Sequence, residues 1–237
     1  MKKKVMGLFL AGCLAAAGPF AASIYAEPNG EPASLDADTV EYDMSTGLVV
    51  ATDNVLMKRG DAKVSGARAT YNTKTMDGLV EGNVIAVRGD MRVTCDLIRS
   101  DGQQHMQAVG NVHGTQQDKS FIGEQVDYYP QQNDYVLIET GGTISSADGV
   151  FTADRMEGWL KDEHYVGTGH AHLVSPPKDL EAGADRVDYY GLGQDKAVLT
   201  GNAWAVQENN TLRGNVLTLY LEKDGKAKAE TGDGTEE

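Results

Sequence analysis

Apolar and polar residues alternate along most of this chain. Val40 and Tyr42 share one side of a short segment, with Glu41 and Asp43 on the other. Val126 with Tyr128 and Val187 with Tyr189 repeat the pattern, and Leu217, Leu219 and Leu221 continue it late in the chain. A period of two predicts half-buried β-strands, because successive side chains point to opposite faces. No segment beyond the N-terminus has an apolar stripe at helical spacing. The expected fold class is therefore all-β.

The alternation is itself repeated. A six-residue strand signature reads Ala37-Asp38-Thr39-Val40-Glu41-Tyr42 and returns at Gly66, Cys95, Gly123, Ala153, Ala184 and Gly214, in steps of 28 to 31 residues. A second signature runs in the same period: Asp53-Asn54-Val55, Gly82-Asn83-Val84, Gly110-Asn111-Val112, Gly141-Gly142-Thr143, Gly169-His170-Ala171 and Gly201-Asn202-Ala203. Gly and Asn tolerate the left-handed backbone that a bulge or tight turn needs. About seven strand-turn-strand units of ~30 residues follow, with their apolar rows on one continuous interior surface. Such units stack as a solenoid, a propeller or a long jelly roll. The period is short for a propeller blade. Aromatic residues at 7% are too few for the girdles of an outer-membrane barrel.

The N-terminus has the anatomy of an export signal: Lys2 to Lys4, an apolar run from Val5 to Leu14, then small residues up to Ala26. Removing residues 1–26 leaves 18 basic against 35 acidic residues, a mature charge of about −17. An acidic surface repels phosphate backbones, so nucleic acid is not an expected partner. An alternative reading of the same segment takes Leu10-Ala11-Gly12-Cys13 as a lipobox, with Cys13 lipidated and the protein anchored as an export-complex scaffold. With cleavage after Ala26, Cys95 is the one remaining cysteine and reads as a small buried strand residue.

Little in the chain suggests catalysis. Asp38, Asp154 and Asp185 recur at one repeat position, which favours a structural role at strand starts over a unique acid. His170 and His172 would point the same way from one strand, but no third metal ligand is visible. No nucleophile elbow, phosphate loop or zinc-protease motif is present. No enzyme activity, cofactor or metal site is expected.

The stretch Val198-Leu199-Thr200-Gly201-Asn202-Ala203-Trp204, continued by Leu212 to Tyr220, resembles the OstA-like family of periplasmic lipopolysaccharide transport bridge proteins. The Gly-Asn-Val turns at Gly82 and Gly110 and the Ala-Asp-x-Val-x-Tyr strands at Ala37 and Ala184 extend the resemblance over roughly residues 34–232. It implies an elongated, twisted β-jelly roll over residues 34–223, between a signal peptide (1–26) and a charged tail (224–237) expected to be partly disordered. It further implies a periplasmic location and a cleft for the acyl chains of lipopolysaccharide. Head-to-tail stacking through edge strands is also implied, with inner- and outer-membrane transport components as partners. Val40, Tyr42, Val84, Val126, Tyr128, Met156, Val187, Tyr189, Leu217 and Leu219 are the expected lining of that cleft. The acidic mature charge and the large number of units depart from a minimal family pattern.

Overall fold

The computed structural model describes residues 33–101, 104–191, 194, 196–221 and 227–232. The signal segment and Cys13 lie outside the described residues. Seventeen strands form one continuous antiparallel sheet among the described residues. They are β1 (Ala33–Asp36), β2 (Thr39–Asp43), β3 (Leu48–Arg59), β4 (Ala62–Asn72), β5 (Gly78–Arg88), β6 (Met91–Asp101), β7 (His105–Gln116) and β8 (Lys119–Tyr129). Then come β9 (Tyr135–Ile138), β10 (Gly142–Ser146), β11 (Gly149–Ala153), β12 (Arg155–Trp159), β13 (His164–Ser175), β14 (Leu180–Tyr190), β15 (Lys196–Gln207), β16 (Asn210–Leu221) and β17 (Ala227–Gly232). A single 3-10 turn at Pro176–Lys178 links β13 to β14.

The chain meanders, each strand pairing with the next. Where strands are short, two of them act as one rung: β1 and β2 both pair with β3, β8 pairs with both β9 and β10, and β13 pairs with both β11 and β12. Each ~30-residue unit seen in the sequence is thus two neighbouring rungs.

Every rung turns a corner near its middle. The β3–β4 ladder runs Thr52↔Arg68 and resumes at Val55↔Gly66, so two residues of β3 oppose one of β4. The same shift recurs between Glu81 and Val84 against β6 and between Thr200 and Ala203 against β16. An extra residue on one strand bends it and increases its twist. The extra residues are those of the Gly-Asn signature: Asn54, Asn83, Asn111, His170 and Asn202 all have φ between 45° and 53°. Each rung therefore gives one half to each of two facing layers. Layer one holds β1, β10 and β11, and layer two holds β2, β9 and β12.

The recurring acids hold these corners. Asn54 Nδ2 donates to Asp38 Oδ2 at 2.8 Å, and Asn202 Nδ2 donates to Asp185 Oδ2 at 2.9 Å. Asn111 reaches Asp96 at 3.4 Å, and His170 Nδ1 pairs with Asp154 at 2.7 Å. The two expected histidines do not act together, because the bulge breaks the alternation. His170 faces Asp154, whereas His172 bonds Glu181 at 2.8 Å. Among the described residues no group of three potential ligands could hold a metal.

The roll also runs further than the expected boundary at residue 223. Ala227–Gly232 pairs with β16 from Val216 to Leu221. The open edge of β16 supplies unpaired backbone groups, and the alternating tail segment satisfies them.

Two outcomes are expected at the corners. Gly201 has φ +76°, and a Cβ there would run into the Asp185 carboxylate oxygen, with Asp185 Cγ 3.0 Å away. Gly201→Ala should lower unfolding stability in urea by about 1–2 kcal/mol. The hydrogen bond that His170 donates to Asp154, and then the Asp154 charge, raise the His170 pKa above 6.5. The charged clasp is therefore complete below the ordinary histidine value and is lost as pH rises through the raised one. An NMR titration should place the His170 midpoint above 6.5, and Asp154→Asn should return it to the ordinary range.

Candidate functional site

The inner faces of the two layers meet in a core that runs the length of the roll. Register places the expected lining residues in lines. Val126, Met156, Val187 and Leu217 fall in one row of layer two, carried across the ladders by Met156↔Ile138, Val187↔Leu199 and Leu199↔Leu217. Tyr128, Tyr189 and Leu219 form the next row, through Tyr128↔Val136, Tyr165↔Tyr189 and Ala197↔Leu219. All seven are buried, as is Val84, which faces them from layer one.

Val40 and Tyr42 continue the same two rows, through Val40↔Ala51 and Tyr42↔Val49. They remain 48% and 52% exposed. The reason is position: β2 is the outermost rung, and among the described residues no strand lies beyond it. These two side chains mark the open mouth of the interior rather than its wall.

Apart from Val84, the alternation left the layer-one half of the interior unassigned. Layer one contributes its own row: Met57↔Val64, Val64↔Ala86, Ala86↔Val93, Val93↔Gly114, Gly114↔Phe121, Phe121↔Ile144, Ile144↔Phe151, Phe151↔Leu173, Leu173↔Ala182 and Ala182↔Ala205. Its signal was the apolar residue after each Gly-Asn pair, which starts the layer-one half of the rung.

The two layers are in contact. A gap lined by Val93 and Phe121 from layer one and Ile98, Met106, Val126 and Tyr128 from layer two has a volume of about 20 Å³. That is room for about one water molecule.

The outer face of layer two is braced by stacked rings. His105, Tyr129, Tyr135, Trp159, His164 and Tyr190 follow one another across the rungs with centroids 4.5 to 5.7 Å apart. Lys196 ends the stack over Tyr190. Each such pair contributes roughly 0.5–1.5 kcal/mol beyond its area. A polar row runs beside the rings. Asp127, 4% exposed, accepts 2.6 Å bonds from Gln107 and Gln125 and pairs with His105. Tyr135 donates to Glu157, and Arg186 makes two bonds to Asp188. Burial, then the Glu157 bond, pushes the Tyr135 phenol above its usual value, so it stays neutral and donates.

Comparison with known families bears on this geometry. The family model described as LptA/(LptD N-terminal domain) LPS transport protein matches residues 34–164 and again residues 100–225. The chain belongs to this family. The fold class matches the expectation: an LptA-like, all-β architecture. Among solved structures, the crystal structure of LptH aligns over 86% of each chain, at 15% identity and a TM-score of 0.20. That protein is described as the LptA-homologous periplasmic component of the conserved lipopolysaccharide transport device of Pseudomonas aeruginosa. A search of curated proteins finds no match. The two family matches overlap at residues 100–164, so the same family pattern fits the chain at two offsets.

Cys95 lies inside layer one. Burial, reinforced by the Asp96 charge, raises its thiol pKa to about 12. The folded protein at pH 8 should alkylate at least about a hundredfold more slowly than the same chain in urea, as thiol-labelling kinetics would show.

Proposed function

We propose that this chain is a periplasmic carrier that conducts lipopolysaccharide between the inner and outer membranes. It holds the acyl chains between its two layers and stacks head-to-tail with copies of itself and with transport components of similar fold. The observation that carries this reading is the set of apolar rows, aligned in register from one end of the roll to the other in a member of a lipopolysaccharide transport family.

Energetics set how such a carrier would work. A buried methylene contributes about 0.8 kcal/mol, so a 12-carbon chain is worth on the order of 9 kcal/mol before ordering costs. Several such chains would not leave into water on a useful timescale. Transfer is then an exchange from one apolar interior to the next. The interior side chains are packed against one another, so a chain enters by parting the layers. It replaces protein-protein contacts with protein-lipid contacts of similar worth, and the net gain is the burial of the lipid's own surface. No nucleotide-binding motif is present in the sequence, and the drive is assigned to a partner.

The ends support stacking. Among the described residues, β1 and β2 each pair on one side only, with β3, and Val40, Tyr42 and the 81%-exposed Met44 stand exposed at the β2 edge. At the other end, β17 covers only the layer-two half of β16, and Leu212 in the layer-one half is exposed. Open edges of this kind take up another strand. The acidic outer surface disfavours contact with anionic headgroups, which keeps the sugar outside and leaves only the acyl chains to enter.

A photo-crosslinking residue at Val126 or Val187 should give an adduct with lipopolysaccharide in the folded protein. Absence of adduct at both positions, with circular dichroism unchanged, would rule the carrier out.

A further inference from the structure

The size of the fully buried side chains changes along the roll. The fully buried side chains rank by volume as Tyr165, Phe121, Ile138, Ile144 and Met156, then Leu199, Leu217 and Leu219, then Val55, Val64 and Val84. The five largest all come from the central rungs, β8 to β13. Leucines follow toward the C-terminal end, and valines line the N-terminal end.

In layer one the large residues are immediate neighbours. Phe121 pairs with Ile144, and Ile144 pairs with Phe151. The row is small on either side: Gly114 precedes Phe121, and Ala182 and Ala205 follow Leu173. Both rings depend on glycines. A Cβ on Gly114 would stand 2.7 Å from Phe121 Cδ1, so that ring lies over the neighbouring rung. A Cβ on Gly167, which belongs to layer two, would stand 2.8 Å from Phe151 Cε1. Phe151 therefore reaches across from layer one and rests on the opposite layer beside the corner. Where it lands, layer two is filled by Met156 and Tyr165, each 1% exposed. The layer that receives the ring is the one braced outside by the aromatic stack.

We propose that Phe121, Ile144 and Phe151 form a bar across the middle of the roll. The bar divides the interior into two apolar compartments and restricts the passage of acyl chains from one to the other. This inference rests on the carrier reading. The bar lies within residues 100–164, the stretch that both family matches share. Each compartment then corresponds to the outer part of one match. An acyl chain passes mid-roll only when Phe151 leaves Gly167. Phe121 and Phe151 thus set the rate of passage and the bulk of chain that can pass.

The test uses the full chain loaded with purified lipopolysaccharide. A diazirine residue of leucine size is placed at Val64, Ile144 or Leu199 in turn. Adducts are expected at 64 and 199, with the yield at 144 about tenfold lower. In Phe121→Ala/Phe151→Ala, the yield at 144 should rise to within about twofold of the flanking positions. Since that variant loses two buried rings, Phe151→Leu serves as the milder one. It keeps an apolar side chain, withdraws from Gly167, and should raise the yield at 144 part of the way. Equal yields at all three positions in the unaltered chain overturn the bar and leave the carrier standing. Unchanged yield at 144 in folded Phe151→Leu also overturns it. No adduct at any position overturns the carrier reading, and the bar with it.

Discussion

The corner at the middle of each rung is the constraint on which the rest of this structure depends. A straight antiparallel meander of this length would be a flat sheet with one greasy face in water. The extra residue at each Gly-Asn step bends every strand at the same height, and the sheet folds over itself. The corner needs left-handed backbone, which Asn and Gly supply at little cost. It also needs its polar side chains satisfied, and the aspartate of the neighbouring rung does this at Asn54, Asn111, His170 and Asn202. Where Ala67 replaces the aspartate, its methyl group faces Gly82 instead. The repeated acids are thus spent on architecture.

Folding the sheet this way gives the two layers different mechanical characters. Layer two carries the ring stack and the Asp127, Glu157 and Asp188 networks on its outside, across β7 to β15. These groups are buried or half-buried and mutually bonded, and they tie each rung to its neighbours independently of the core. Layer one carries the Phe121–Ile144–Phe151 row on its inside and a single ring pair, His172 with Trp204, among the described ring contacts on its outside. A force that parts the layers meets more resistance within layer two than within layer one. Contents that enter the interior would therefore displace layer one.

Packing inside the roll qualifies the picture of an apolar row. A row of identical units suggests one uninterrupted greasy surface. The row is uninterrupted in register but not in bulk, because side-chain volume peaks at the centre. Dense packing stabilises the empty protein, and the same packing must be exchanged for contents of equal apolar area if anything is to be carried. In the proposed carrier, stability and transport thus draw on the same side chains.

A large part of this was legible in the sequence. Period-two alternation, the ~30-residue repeat and the Gly-Asn steps are local properties, and they determined the all-β class, the rung count per unit and the positions of the corners. Resemblance in those motifs pointed to the lipopolysaccharide transport family to which the chain belongs. Alternation also paired Val126 with Tyr128 and Val187 with Tyr189 correctly on one face, since a strand's two faces are set within the strand. What lies across from that face is a matter of folding. Only the tertiary structure brought Phe151 onto Gly167, put Val40 and Tyr42 at an open end, and separated His170 from His172 by a bulge. It also joined His105 to Tyr190 through rings far apart in the chain. Those outcomes depend on which rung is last and which half of each rung bends over, and no local pattern encodes either.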